Sequence, residues 1–260
     1  MTAYCITNAT HGVRLQGYNA QKASFSRRIE VKQIGHALLH LESFNEDHLI
    51  TLPSLHIEGL ISGSPFVELN KSTHIVSSSG YTSRIDYSGR GWLSGKKNSF
   101  TASLFPTGHE KDPLYAIEGQ WTGEFTIRDV RTKAVVDSWD HKAHKTTPLR
   151  VAPLEAQDEL ETRRAWRRVA EGISRGDMNL VAHEKTLIEQ KQRQLRQAEK
   201  EAGGEWDRVF FRRATAHPVF AKLAGHVGEG LETDKTNGVW LFDDAKAKQA
   251  QKPYRPGTMP

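Results

Sequence analysis

The sequence predicts an α+β chain: an antiparallel sheet, left open or closed into a barrel, followed by a helical region. Two observations carry that prediction. Short runs of alternating apolar and polar residues recur up to roughly residue 140, with turn residues between them. Past Pro153 the apolar period lengthens from that of a strand to that of a helix.

The strand-like runs are 13–17, 30–41, 55–60, 65–69, 72–76, 81–87, 99–104, 115–119 and 125–128. Between them stand turn signals such as Ser62-Gly63-Ser64-Pro65, Ser79-Gly80, Ser88-Gly89-Arg90-Gly91 and Ser94-Gly95. No helix-length pattern interrupts the series, so a meander fits, and closure would remove its unpaired edges.

Thr146, Thr147, Pro148 and Pro153 mark the change. Residues 155–173 then read as one helix, with Leu160, Trp166, Val169 and Ile173 at helical spacing and Gly176 as its stop. Asp177 is placed to cap a second helix running from 178 towards 201, which Gly203-Gly204 interrupts. Beyond it, residues 220–223 read as a helical turn, 238–242 as an apolar anchor and 253–257 as extended chain. The expected division is a β part over 1–142 and a helical part with an extended tail over 143–260.

Composition removes several classes. Apolar residues make up 37% of the 260, and no run approaches the roughly 18 continuous apolar residues of a membrane-spanning helix. Six Trp, six Tyr and ten Phe are too many for a chain that stays disordered. Cys5 is alone, which excludes an intrachain disulfide and fits a reducing compartment. The first residues have neither a basic segment nor an apolar core, so no signal peptide is read there. A net charge of +5 permits an anionic partner and establishes none.

Enzyme chemistry finds no foothold. There are 12 His but no HExxH and no CxxC. His36 and His40 share one strand face but stand too far apart to ligate one metal. Cys5 has no partner, no GxSxG elbow occurs, and Gly89-Arg90-Gly91 reads as a hairpin turn. No cofactor is expected.

Charge patterning says more. At about 100° per residue, Lys185, Glu189 and Arg193 lie within about 80° on one stripe of the second helix. Leu187, Ile188, Leu195, Ala198 and Ala202 fall on the opposite side, the expected packing face. The stripe has two readings: ordinary helix-surface stabilisation, or a carboxylate orienting a forked and a mobile cation towards an anion. Arg163/Arg167 and Arg164/Arg168 form two basic rows beside Trp166, either a solvated face or a patch for anionic membrane or nucleic acid.

Longer strings carry a resemblance. Residues 15–25 (LQGYNAQKASF), 31–39 (VKQIGHALL), 52–69 (LPSLHIEGLISGSPFVEL), 88–104 (SGRGWLSGKKNSFTASL) and 113–123 (PLYAIEGQWTG) resemble the oxysterol-binding protein family, in order along the chain. Residues 153–211 resemble the helical region beyond that family's barrel. The similarity is greatest to the short fungal-type members.

That resemblance implies a β-barrel with an apolar tunnel for one sterol or one phosphatidylinositol 4-phosphate, and lipid exchange between membranes. It makes Lys185, Glu189 and Arg193 the head-group cations and their orienting carboxylate. Asn19 and Gln33 match sterol-facing polar positions, where a buried amide bonds a hydroxyl directly or through water. Lys22 matches a basic position near the tunnel mouth. The implied protein is a cytoplasmic monomer that visits anionic membrane surfaces peripherally.

The departures are specific. The family string EQVSHHPP is absent, and Thr2-Ala3 resembles the residues immediately after that string, so the match covers roughly the last two-thirds of the domain. The lid, the first strands and half of the head-group clamp are then expected to be missing, the barrel incomplete and phosphoinositide capture weakened. A competing expectation is a paralogue without transfer activity that uses its basic helices on membranes or RNA. Only the arginine rows favour it, and no RNA-binding pattern accompanies them.

Overall fold

The computed structural model describes residues 1–25, 28–60, 63–89, 95–204, 206–215, 217–227 and 239–254. Twelve strands come first: β1 (Thr2–Asn8), β2 (Val13–Phe25), β3 (Ile29–Leu41), β4 (Glu46–Thr51), β5 (Ser54–Glu58), β6 (Phe66–Asn70), β7 (Ser72–Ser77), β8 (Tyr81–Ser88), β9 (Ser99–Pro106), β10 (Tyr115–Gln120), β11 (Glu124–Asp129) and β12 (Val135–Asp140). After them come α1 (Thr162–Ala165), α2 (Arg167–Arg175), α3 (Met178–Glu201), β13 (Phe211–Ala214), α4 (Pro218–Ala224), β14 (Val239–Phe242) and α5 (Asp244–Gln249). The chain divides into two compact units, 1–146 with 212–242 and 147–211 with 243–260.

The first unit is built on one antiparallel sheet of order β1-β2-β3-β4-β7-β8-β9-β10-β11-β12, with β5 and β6 branching from β3. Among the described residues β1 and β12 end the sheet as unpaired edges, so the barrel-like sheet is open. Every predicted run overlaps a strand, with Gly59, Leu60 and Pro65 falling just outside β5 and β6. Strands β1, β4 and β12 were not legible, because their sequences do not alternate cleanly: five of the six β12 residues are exposed. Strand β2 runs eight residues past its predicted end, held by an unbroken register from Val13↔Leu41 to Phe25↔Ile29. Of the expected turns, Ser62, Arg90, Gly91 and Ser94 lie outside the described residues.

Cross-strand partners share a face and neighbours along a strand alternate. Leu15, Val31, Ile50, Leu55, Ile75 and Ile117 therefore stand on one face, and each is half-buried. The other face is polar towards β10 and β11, with Glu118, Thr126 and Arg128, and apolar only at its centre. There Leu38, Leu49 and Val76 pack on Leu223 of α4, with Val219, Phe220 and Ala224 around them. Strand β14 joins β13, and its Phe242 N–H donates to Gln16 Oε1 at 3.4 Å.

In the second unit the single helix expected over 155–173 is broken. A 3₁₀ turn at Leu154–Ala156 precedes α1 and α2, which part at Trp166 (φ −102°, ψ 10°). Gln157 and Asp158, between the turn and α1, are buried. Asp158 accepts from Leu160 N at 2.9 Å and from Tyr254 N at 2.9 Å, so its backbone turns instead of continuing a helix. Lys252 closes the same corner on Glu161 Oε1 at 2.6 Å. Of the extended end, residues 255–257 lie outside the described residues.

Helix α3 begins as predicted. Gly176 is left-handed (φ 69°) and Asp177 Oδ1 accepts from Leu180 N at 3.0 Å. Its packing differs from the expectation, because no residue of this 24-residue helix is buried. Leu187 is 39% exposed, and Ile188 and Leu195 are half-buried. Helix α2 has nine residues and covers only the start of α3, where Gly172 lets Val181 approach: a Cβ there would lie 2.8 Å from Val181 Cγ2.

Candidate functional site

Asn19 and Gln33 lie diagonally on the apolar face, since Asn19 pairs with Gly35 and Gln33 with Gln21. Asn19 Nδ2 donates to Gln33 Oε1 at 2.5 Å, and Gln33 Nε2 donates to the Pro53 carbonyl at 2.7 Å. The Pro53 oxygen can only accept, so it fixes the Gln33 amide, and Gln33 in turn fixes Asn19. Asn19 Oδ1 is thereby turned away, buried and, among the described residues, without a hydrogen-bond partner. A buried acceptor left unbonded costs about 1–3 kcal/mol, and a ligand hydroxyl would satisfy it.

Lys22 is exposed and pairs with Lys32, which puts it on the opposite face from Asn19 and Gln33. The structure does not bring it to the amide pair.

The stripe in the second unit is assembled as its spacing requires. Glu189 Oε1 accepts from Lys185 Nζ, and Glu189 Oε2 lies 3.6 Å from Arg193 Nη2. The bond from Lys185, then the charges of Lys185 and Arg193, hold the Glu189 carboxyl below its ordinary range. All three side chains are at least two-fifths exposed, so the cations keep most of their donors for a further anion.

The arginine rows have local partners instead. Arg164 donates to the Gln157 carbonyl at 2.6 Å, Arg167 lies 3.6 Å from Glu171, and Arg168 meets Glu171 at 3.1 Å and Glu184 at 3.5 Å. Three of the four cations of that patch are thus answered within the second unit. Lys97 at the hairpin before β9 lies 3.7 Å over the Phe66 ring. Among the described residues no three His, Cys, Asp or Glu are grouped to hold a metal ion, and no helix is long and apolar enough to cross a membrane.

Sequence reasoning missed the surroundings of Asn19. Gly35, its cross-strand partner, has φ +122°, and a Cβ there would stand 2.1 Å from the Tyr18 carbonyl oxygen. Only glycine fits, so the face is bare beside the amide. The conspicuous signal was a glycine inside an otherwise regular strand.

The described residues thus form a long antiparallel sheet with one apolar face that carries an oriented amide pair. Residues 1–173 match the family described as oxysterol-binding protein, and the chain belongs to that family. It is 45% identical to the protein kes1 of Schizosaccharomyces pombe over 215 residues, which are 81% of this chain and 55% of kes1. The chain therefore spans little more than half of that relative's length. Among solved structures, the ORD domain of Osh1 in complex with cholesterol aligns with a TM-score of 0.65 at 14% identity, covering 95% of this chain and 67% of that one. The ORD of Osh3 from Saccharomyces cerevisiae, in complex with PI(4)P, aligns with a TM-score of 0.56 at 16% identity, covering 82% and 65%. At these identities the two likenesses show the fold.

Proposed function

We propose that this chain binds single lipids and moves them between membranes without vesicles, exchanging sterol for phosphatidylinositol 4-phosphate. The observation that carries the reading is the buried, unbonded Asn19 Oδ1 on an apolar sheet face. A sterol offers the complement: one hydroxyl donor on a large hydrocarbon, whose removal from water contributes about 25 cal/mol for each Å² covered. The Osh1 complex with cholesterol and the Osh3 complex with PI(4)P support the two ligand classes.

For the phosphoinositide, Lys185 and Arg193 draw the head-group phosphate while Glu189 orients them. Arg contributes a forked donor and Lys a mobile point charge. Capture of this kind needs no bond making, so the protein is not an enzyme on this reading. It acts as a monomer in the cytoplasm and touches anionic organelle surfaces transiently.

Liposomes carrying labelled sterol or labelled phosphatidylinositol 4-phosphate test this directly. After incubation with the 260-residue chain and sedimentation, each lipid is expected in the supernatant with the protein, and each should displace the other. Protein that floats with liposomes and extracts neither lipid would overturn the proposal.

A further inference from the structure

Tyr4 stands at the edge of the bare patch beside Asn19. In β1 it pairs with Gly17, while Thr2 pairs with Asn19, so the Tyr4 ring and the Asn19 amide share the apolar face. A Cβ built on Gly17 would lie 2.7 Å from Tyr4 Oη, 2.8 Å from Tyr4 Cζ and 2.6 Å from the His36 carbonyl oxygen. The phenol head thus fills the space that a side chain at 17 would need. Burial raises the Tyr4 pKa, so at neutral pH the group keeps its proton and can donate. Asn19 is flanked along its strand by Gly17 and across it by Gly35, two positions where a side chain has no room.

Donor and acceptor are therefore distinct on this face. Asn19 Oδ1 can only accept, and Asn19 Nδ2 donates to Gln33. Tyr4 supplies the missing donor. Same-face neighbours on a strand stand about 7 Å apart, and the Tyr4 phenol over Gly17 is thus the next same-face group along from the Asn19 amide.

We propose that Tyr4 is a second ligand-contacting residue that makes the site selective for a fused-ring alcohol over the corresponding ketone. The ligand hydroxyl donates to Asn19 Oδ1 and accepts from Tyr4 Oη. A ketone oxygen keeps the bond from Tyr4 and leaves Asn19 unsatisfied. The selectivity rests on the proposed lipid-binding function.

The test compares dehydroergosterol, an alcohol, with cholestenone, a ketone, on the 260-residue chain, with extraction of phosphatidylinositol 4-phosphate read in parallel. The parent chain should prefer the alcohol. Tyr4→Phe should weaken both sterols by about five- to tenfold, the cost of one hydrogen bond, and leave phosphoinositide extraction unchanged. Asn19→Ala should weaken the alcohol alone and erase the preference. A Tyr4→Phe chain that binds both sterols like the parent, or loses all three lipids together as a structural lesion would, overturns the role of Tyr4 and leaves the lipid-binding reading standing. A parent chain that takes up neither sterol overturns both.

Discussion

Gln33 Oε1 accepts a hydrogen bond from Asn19 Nδ2 at 2.5 Å and so decides which way the Asn19 oxygen points. The pair acts as one device: Gln33 is anchored on the Pro53 carbonyl, and Asn19 presents its free oxygen to the apolar face.

Gln33→Leu should therefore cost sterol affinity although Gln33 spends both ends of its amide within the protein. With the orienting partner gone the Asn19 amide is free to rotate, and about tenfold in affinity is at stake, the worth of one hydrogen bond of roughly 1.4 kcal/mol. Asn19→Leu should cost about the same. The double variant should be no worse than either single one, because the residues are coupled. Titration with a fluorescent sterol reads all three.

Lys185→Ala and Arg193→Ala should each lower phosphatidylinositol 4-phosphate extraction by about tenfold at low salt, and less as salt is raised, because exposed charges are screened. Sterol extraction should stay at the parent level. Glu189→Gln keeps both cations and removes the carboxylate that positions them, so its effect should be smaller. Liposome extraction at two salt concentrations separates these outcomes.

Acid should loosen the first unit through His36. This side chain is 2% exposed, stacks on Phe220 at 4.1 Å and meets the Tyr18 ring edge-on at 5.1 Å. Burial, and then the neighbouring His217, lowers its pKa to about 4. His217, at the start of α4, is lowered in the same direction, chiefly by burial. A folded-state pKa below the unfolded one means that the unfolded chain takes up the proton first. The stability is complete above about pH 6.5 and is lost as pH falls towards 4, by about 3 kcal/mol in all for His36. Urea unfolding at pH 7, 6 and 5 should show that slope, and His36→Phe should flatten most of it.

Leu49 is fully buried between Leu38, Val76 and Leu223. Leu49→Ala should destabilise the chain by about 2–5 kcal/mol, through lost burial and the cavity left behind. A denaturation midpoint lowered without change of slope would report that loss.

Much of the sheet was legible because alternation is local: the runs from Val13 to Arg128 each found their strand. So were the Gly176 stop and the Asp177 cap, since both signals act within one turn. The features that escaped depend on distant partners. The turn ahead of α1 is held by Asp158, whose second acceptor bond comes from Tyr254, 96 residues away. The return of α4 to the sheet rests on Leu223 meeting Leu38 and Leu49, which no window of sequence contains. At the site, the spacing of Lys185, Glu189 and Arg193 predicted their mutual contact, whereas the orientation of Asn19 needed Pro53 and the register of β2 on β3.

Photo-crosslinking with a sterol that carries a photoreactive group in its ring system, with peptide mapping of the adducts, bears most directly on which surface receives hydrocarbon. Adducts are expected on β2, β3, β4 and β7 at apolar-face positions such as Leu15, Val31, Ile50 and Ile75. Adducts confined to the α4 side of the sheet, or to exposed apolar residues such as Ile173 and Met178, would contradict the account.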